Sequence, residues 1–93
     1  MELNEGKIRV MRHALGIDLW KKPERKNNKL VAYRNHYCAQ NPSKEFTWWE
    51  ELVKDKLANR LTDSVNGFVY YGVSELGVAE LERAIEEKII LKD

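Results

Sequence analysis

His36 and Cys38 stand two positions apart, a spacing that puts both side chains on the same side of an extended strand. A Cys–His nucleophilic pair also needs an orienting group for the base and a donor for the oxyanion, and the sequence offers neither beside them. His13 is the only other histidine, and no pair of His or Cys residues has zinc-type spacing, so no metal site is expected. A Gly-rich phosphate loop, a Gly-x-Ser-x-Gly elbow and a His-Glu-x-x-His helix are all missing. The carboxylate pairs Glu50-Glu51 and Glu86-Glu87 read as solvated helix faces. The expectation is a protein without catalysis and without a cofactor.

Binding chemistry is better represented. Lys21, Lys22, Arg25, Lys26 and Lys29 crowd into nine residues, with Arg34 shortly after and Trp20 and Tyr33 near enough to stack on bases. The same residues are equally what a solvated surface loop carries. Trp48, Trp49, Phe68, Tyr70 and Tyr71 form a second concentration, of the type found at interface hot spots as well as in cores. In a strand Phe68 and Tyr70 face one way and Val69, Tyr71 and Val73 the other. Trp48, Phe68, Tyr70 and Tyr71 are therefore the expected partner-binding residues, and a protein partner or self-association is favoured over nucleic acid.

The elements that position these groups follow from periodicity. Ile8, Met11, Ala14 and Leu15 recur at helical spacing, with Asn4 as N-cap and Gly16 as the stop. Residues 20–29 show neither helical nor strand period and read as a basic loop. Leu30 to Cys38 alternate as one strand with two unlike faces. Asn41-Pro42-Ser43 breaks the chain. Thr47-Trp48-Trp49-Glu50 matches a capping box and predicts a helix from Thr47 to about Arg60. Thr62 to Gly67, ending in Asn-Gly, then leads into the aromatic strand Phe68 to Val73 and predicts a hairpin. Ser74 caps a last helix on which Val78, Leu81, Ala84, Ile85 and Ile89 repeat.

Composition bounds the rest. Ninety-three residues suit one domain, and 43% hydrophobic against 33% charged residues is too apolar for a disordered chain. One cysteine excludes an internal disulfide and suits a reducing compartment, so the cytoplasm is expected. The charged first ten residues do not read as a signal peptide, and no stretch is apolar enough to span a membrane. The net charge of +1 hides an asymmetry: residues 1–44 hold ten Lys or Arg against four Asp or Glu, and residues 45–93 hold six against eleven. Such a chain can turn a basic face to an acidic partner, or draw its own halves together.

The run Trp48-Trp49-Glu50-Glu51-Leu52-Val53-Lys54-Asp55-Lys56-Leu57-Ala58, a turn, an aromatic strand and Val73-Ser74-Glu75-Leu76-Gly77 opening a helix resembles the end of a winged-helix domain. In that family a Leu-Val-x-x-Gly-Leu helix end is followed by a two-stranded wing and a Leu-Thr-x-x-Gly helix start. Lys56 stands here where glycine is usual, and Ser74 where threonine is usual. The resemblance implies DNA binding, against which stand the balanced charge of residues 47–60, a turn without basic residues, and a strand at 30–38 where a helix-turn-helix needs a helix. Over most of its length the chain is also similar to small bacteriophage- and prophage-encoded proteins, which share Met11-Arg12-His13-Ala14-Leu15-Gly16, an aromatic Arg34-Asn35 strand and a Trp-x-x-Leu-Val helix. That group implies an origin, in a bacterial host cell, and no activity. The expected fold is α+β: helix, strand, helix, β-hairpin and helix in a reduced winged-helix-like domain. The expected function is a non-catalytic interaction module, with nucleic-acid binding through residues 20–34 as the alternative.

Overall fold

The computed structural model describes residues 3–18 and 22–91. It is an α+β fold of three helices and two three-stranded sheets. Helix α1, Glu5–Leu15, begins where the Asn4 side chain accepts the Lys7 N–H at 2.7 Å. It ends where Gly16, at φ 75°, sends its N–H to His13 O and Ile17 sends its own to Arg12 O. That pair of reversed bonds is a Schellman ending, and the left-handed residue in it favours glycine.

Within the basic segment expected as a loop, residues 22–24 are irregular, but residues 25–29 are a hairpin and residues 20–21 lie outside the described residues. Strands β1, Arg25–Lys26, and β2, Lys29–Ala32, pair antiparallel around Asn27 and Asn28, which sit at φ 53° and 64°. Two successive left-handed residues make the tight turn that matches strand twist, and asparagine tolerates that region better than most side chains. Sheet one is completed by β6, Ile89–Leu91, parallel to β2 with Leu30 opposite Ile89.

The single strand expected over 30–38 is two strands in two sheets. The chain leaves sheet one at Ala32 and, after four intervening residues, enters β3, Tyr37–Gln40. The intervening polar groups explain the break. Arg34 donates from Nε and Nη2 to His13 O at 3.2 and 2.7 Å, and the His36 N–H goes to Ala14 O, so this segment satisfies the open carbonyls at the end of α1. Asn35 exchanges two bonds with the backbone of Val73, at 2.9 and 2.7 Å.

Helix α2, Lys44–Lys54, starts three residues before the expected capping box. Ser43 is the cap, its Oγ accepting the Phe46 N–H at 3.0 Å, and Thr47 lies inside the first turn with its hydroxyl donating to Ser43 O. Nor does α2 reach Arg60. Lys56 adopts φ 65°, its N–H bonds Val53 O and the Leu57 N–H bonds Leu52 O, repeating the ending of α1 without a glycine. The strand expected over 68–73 is β5, Phe68–Val73, and it pairs across the expected Asn66-Gly67 turn with β4, Ala58–Arg60, which replaces the end of the expected helix; sheet two has the order β3-β5-β4. Only α2 lies between β3 and β4.

Helix α3, Glu75–Ile85, is capped by Ser74, whose Oγ accepts the Gly77 N–H at 3.0 Å. Ser74 also clasps the end of α2: its N–H bonds Leu57 O and its hydroxyl bonds Lys56 O. A Cβ on Gly77 would collide with Leu57 O, so glycine is what lets the two segments touch. The expected continuation of α3 to Ile89 fails because Glu86 turns left-handed, at φ 57°, and Ile89 becomes the first residue of β6. Ala84, expected on the buried stripe, is exposed.

One core joins all of this. Val10, Met11, Ala14, Leu15 and Ile17 meet Trp49 and Leu52 of α2, Ala39, Val69, Tyr71 and Val73 of sheet two, and Val78 and Leu81 of α3. Ion pairs Lys7–Glu51, Arg9–Glu45 and Arg25–Glu87 tie the basic first half to the acidic second half. The charge asymmetry therefore serves, at least in these pairs, to bring the halves together. Among the described residues no helix is long and apolar enough to cross a membrane.

Candidate functional site

Sheet two has one covered and one open face. Directly opposed residues of an antiparallel ladder share a face, so the register Tyr37↔Tyr71, Ala39↔Val69 and Ala58↔Val73 defines the inner side and Cys38↔Tyr70, Gln40↔Phe68 and Asn59↔Gly72 the outer side. The Leu61 N–H continues the ladder to Tyr70 O, and Leu61 Cδ1 lies over Gly72, which puts Leu61 on the outer side as well. Val65 and Phe68 exchange both backbone bonds across Asn66-Gly67, so Val65 joins them. Leu61 is 52% exposed, Val65 61%, Phe68 40% and Tyr70 41%, which makes this the one place where four exposed large apolar residues of the described chain share a surface.

The expected partner-binding residues divide across these faces. Phe68 and Tyr70 reach solvent. Tyr71 does not: it is fully buried, stacked on Trp49 with ring centroids 5.4 Å apart, and its hydroxyl donates to Glu50. Its place in the pattern, one residue from Tyr70, is what sends it inward. Trp48 is half-buried, with its ring over Gly6 and the Arg9 guanidinium 5.7 Å from the ring centroid. It covers the seam between α1 and α2. Leu61 and Val65 were not anticipated, because a helix read as far as Arg60 left no strand to alternate.

Electrostatics distinguish the faces too. On the inner side burial pushes the Tyr71 phenol well above its ordinary pKa, and its bond to Glu50 adds to that. Burial would raise the Glu50 carboxyl, yet hydrogen bonds from Arg60 and Tyr71 hold it below its usual value. On the outer side the neighbouring Cys38 side chain pushes the Tyr70 phenol up.

Next to the open face, His13, Arg34, His36, Tyr37, Cys38 and Tyr70 line a shallow depression of about 330 Å³. His36 and Cys38 thus do come together, and His13 is oriented by the buried Asp18, 3.2 Å from its Nδ1. The Arg34 guanidinium is committed to His13 O and lies over the Tyr33 ring. Among the described residues no group of three or more His, Cys, Asp or Glu side chains is placed to hold a metal ion.

The basic residues are distributed along the β1–β2 hairpin and its approach. Lys22, Arg25, Lys26 and Lys29 are exposed, and Lys21 lies outside the described residues, as does Trp20. Arg25 is paired with Glu87, whose carboxyl that contact lowers. Arg34, half-buried at the end of α1, is not part of the hairpin.

These features define a small α+β domain with an open aromatic sheet face. No family model, curated protein or solved structure matches the chain.

Proposed function

We propose that the chain is a non-catalytic interaction module that recognises a protein surface through the outer face of β3–β5–β4. The observation that carries this reading is the clustering of Leu61, Val65, Phe68 and Tyr70 on one open sheet face, since an exposed apolar cluster of that kind marks interaction sites in folded proteins. The succession α1, β3, α2 and the β4–β5 hairpin, with β5 mid-sheet, supports a reduced winged-helix-like layout into which the β1–β2 hairpin is inserted. The resemblance of residues 11–16, 34–35 and 49–53 supports a phage or prophage type, and the single Cys38 supports a cytoplasmic setting.

A photocrosslinking side chain in place of Val65, with Leu76 on α3 as the control position, tests the reading in cells that make the protein. A discrete protein adduct from position 65 and none from 76 is expected. Adducts at neither position, or at 76 alone, would overturn it.

The second reading, nucleic-acid binding, draws on Lys22, Lys26 and Lys29, which are exposed and have no ion pair among the described residues. Glu87 beside Arg25 weakens that surface, so the expected binding is nonspecific and fades toward physiological salt. Titrating labelled duplex and single-stranded oligonucleotides at two salt concentrations checks this, with tight duplex binding at the higher salt deciding for the second reading.

A further inference from the structure

We infer that the occupant of the open face of sheet two is a second copy of this chain, packed face to face about a two-fold axis; the inference rests on the reading of that face as the interaction surface.

The face has the composition that a two-fold axis requires. Its ladder rows hold Cys38, Tyr70 and Leu61, then Gln40 and Phe68, then Asn59 and Gly72, with Val65 across the turn. None of these eight residues is charged, in a chain where a third of all residues are. An isologous interface sets each group against a symmetry-related copy of its own surroundings, so a charge near the axis meets a like charge. On these rows nothing repels, and Arg34, which lines the adjoining depression with Cys38 and Tyr70, is held on His13 O. A strongly acidic or basic partner, by contrast, would find no counter-charge on these rows.

The β4 edge is poorly suited to accepting an added strand. Beyond Arg60 the β4 side of the sheet breaks into a bulge: three residues, Thr62 to Ser64, stand opposite Val69 alone, and the Thr62 hydroxyl accepts the Tyr70 N–H at 3.3 Å. Such a bulge spoils the straight row of donors and acceptors that an added strand needs. Sheets that pack on one another lie about 10 Å apart, a separation that side chains the size of Phe68, Tyr70 and Leu61 fill from both sides.

Size sets the strength. The four exposed apolar side chains present on the order of 400 Å², about half of the ~800 Å² that each partner gives to a standard stable interface. The dimer is therefore weak and concentration-dependent.

Sedimentation of the purified full chain in reducing buffer, from about 5 to about 500 µM, reads this directly. The weight-average mass should climb from 11.0 kDa toward twice that value across the series. Phe68→Glu should hold it at the monomer mass, and Leu76→Glu, at a still more exposed site on α3, should not. Because Phe68→Glu could disturb β5, Val65→Glu at the hairpin tip is the second variant, with an unchanged thermal midpoint as the check on folding. A monomer at every concentration overturns the dimer, and if the position-65 crosslink in cells then captures a different protein, the interaction surface itself stands. A dimer that survives both face variants overturns the assignment of the face.

Discussion

Along β5 the same strand builds two surfaces with opposite fates. Val69, Tyr71 and Val73 pack against the helices, and Tyr71 stacks nearly parallel on Trp49, with 9° between the rings. Phe68 and Tyr70, one residue away in each direction, stand 40% and 41% exposed beside Leu61 and Val65. Composition does not separate the two sets, because each contains aromatic residues. What separates them is cover: α1, α2 and α3 pack on one side of a three-stranded sheet, while the other side is covered by Leu61 and Asn35 at Gly72 and leaves Leu61, Val65, Phe68 and Tyr70 exposed. An aromatic residue on the covered side is structural cement, and the same residue on the open side is available for binding.

The comparison breaks most visibly on truncation. Trp49→Ala or Tyr71→Ala should cost about 3–5 kcal/mol, the range for removing a large buried aromatic side chain. Phe68→Ala should cost less than about 1 kcal/mol, the worth of a cross-strand contact on a solvated face. Urea denaturation of the dilute, monomeric protein measures both. If Phe68→Ala proved as damaging as Tyr71→Ala, the outer face would belong to a core, and the binding argument would lose its basis.

A smaller contrast lies at the start of α2. Ser43→Ala should cost roughly 1 kcal/mol, because Ser43 Oγ serves the Phe46 N–H, and Thr47→Ala should cost less than about 0.5 kcal/mol. Chemical denaturation midpoints of the two variants check the order. The reverse order would restore the capping box at Thr47.

These residues also show how far the sequence could be read. The α+β class, the start and end of α1, the β4–β5 turn and the cap of α3 were legible because each is marked by a residue with a local conformational preference: Asn4, Gly16, Asn66-Gly67 and Ser74. The ends of α2 and α3 carry no such mark. Lys56 and Glu86 take up the left-handed conformation that Gly16 takes up without being glycine, so local periodicity carries both helices too far and hides β4 and β6, although the winged-helix pattern has glycine at position 56. The capping box at Thr47 misleads because a Glu three residues on is a persuasive pattern, although Glu50 is in fact drawn away by Arg60 and Tyr71. The split of 30–38 into two strands depends on Arg34 and Asn35 finding α1 and β5, contacts invisible to any local pattern. Of the candidate site, Phe68 and Tyr70 were legible from alternation alone. Leu61 and Val65 required the hairpin register.

Lys56 therefore offers a gain. Lys56→Gly should stabilise the protein by roughly 0.5–1 kcal/mol, since glycine relieves the left-handed strain and the backbone bonds from residues 56 and 57 to Val53 O and Leu52 O remain. Thermal or urea unfolding reads it, and a loss of stability would mean that the lysine side chain supports the clasp between α2 and Ser74.

The smallest effect, and the one that probes the covered face by its chemistry, is pH dependence. Burial disfavours the charged form of Glu50, but the Arg60 and Tyr71 hydrogen bonds outweigh it and leave the carboxyl below its ordinary pKa in the folded state. A depressed carboxyl stabilises the fold above its unfolded pKa and loses that contribution as pH falls through the folded value. Tyr71 runs the other way: its phenol is raised, first by burial and then by Glu50, so its contribution is complete below the ordinary tyrosine range and is lost only as pH climbs beyond it. The pair should thus hold across neutral pH and fail at both extremes. Glu50 and Arg60 are each partly open to water, so solvent screening keeps the acid-side effect modest. Denaturation midpoints followed downward from pH 6 should fall less steeply in Glu50→Gln than in the wild type, and midpoints followed above pH 10 should fall less steeply in Tyr71→Phe. Tyr70→Phe, on the open face, should leave the acid limb unchanged. Equal acid slopes in wild type and Glu50→Gln would mean that the contact from sheet to helix at Glu50 contributes nothing to the fold, and that packing against Trp49 alone holds Tyr71 in place.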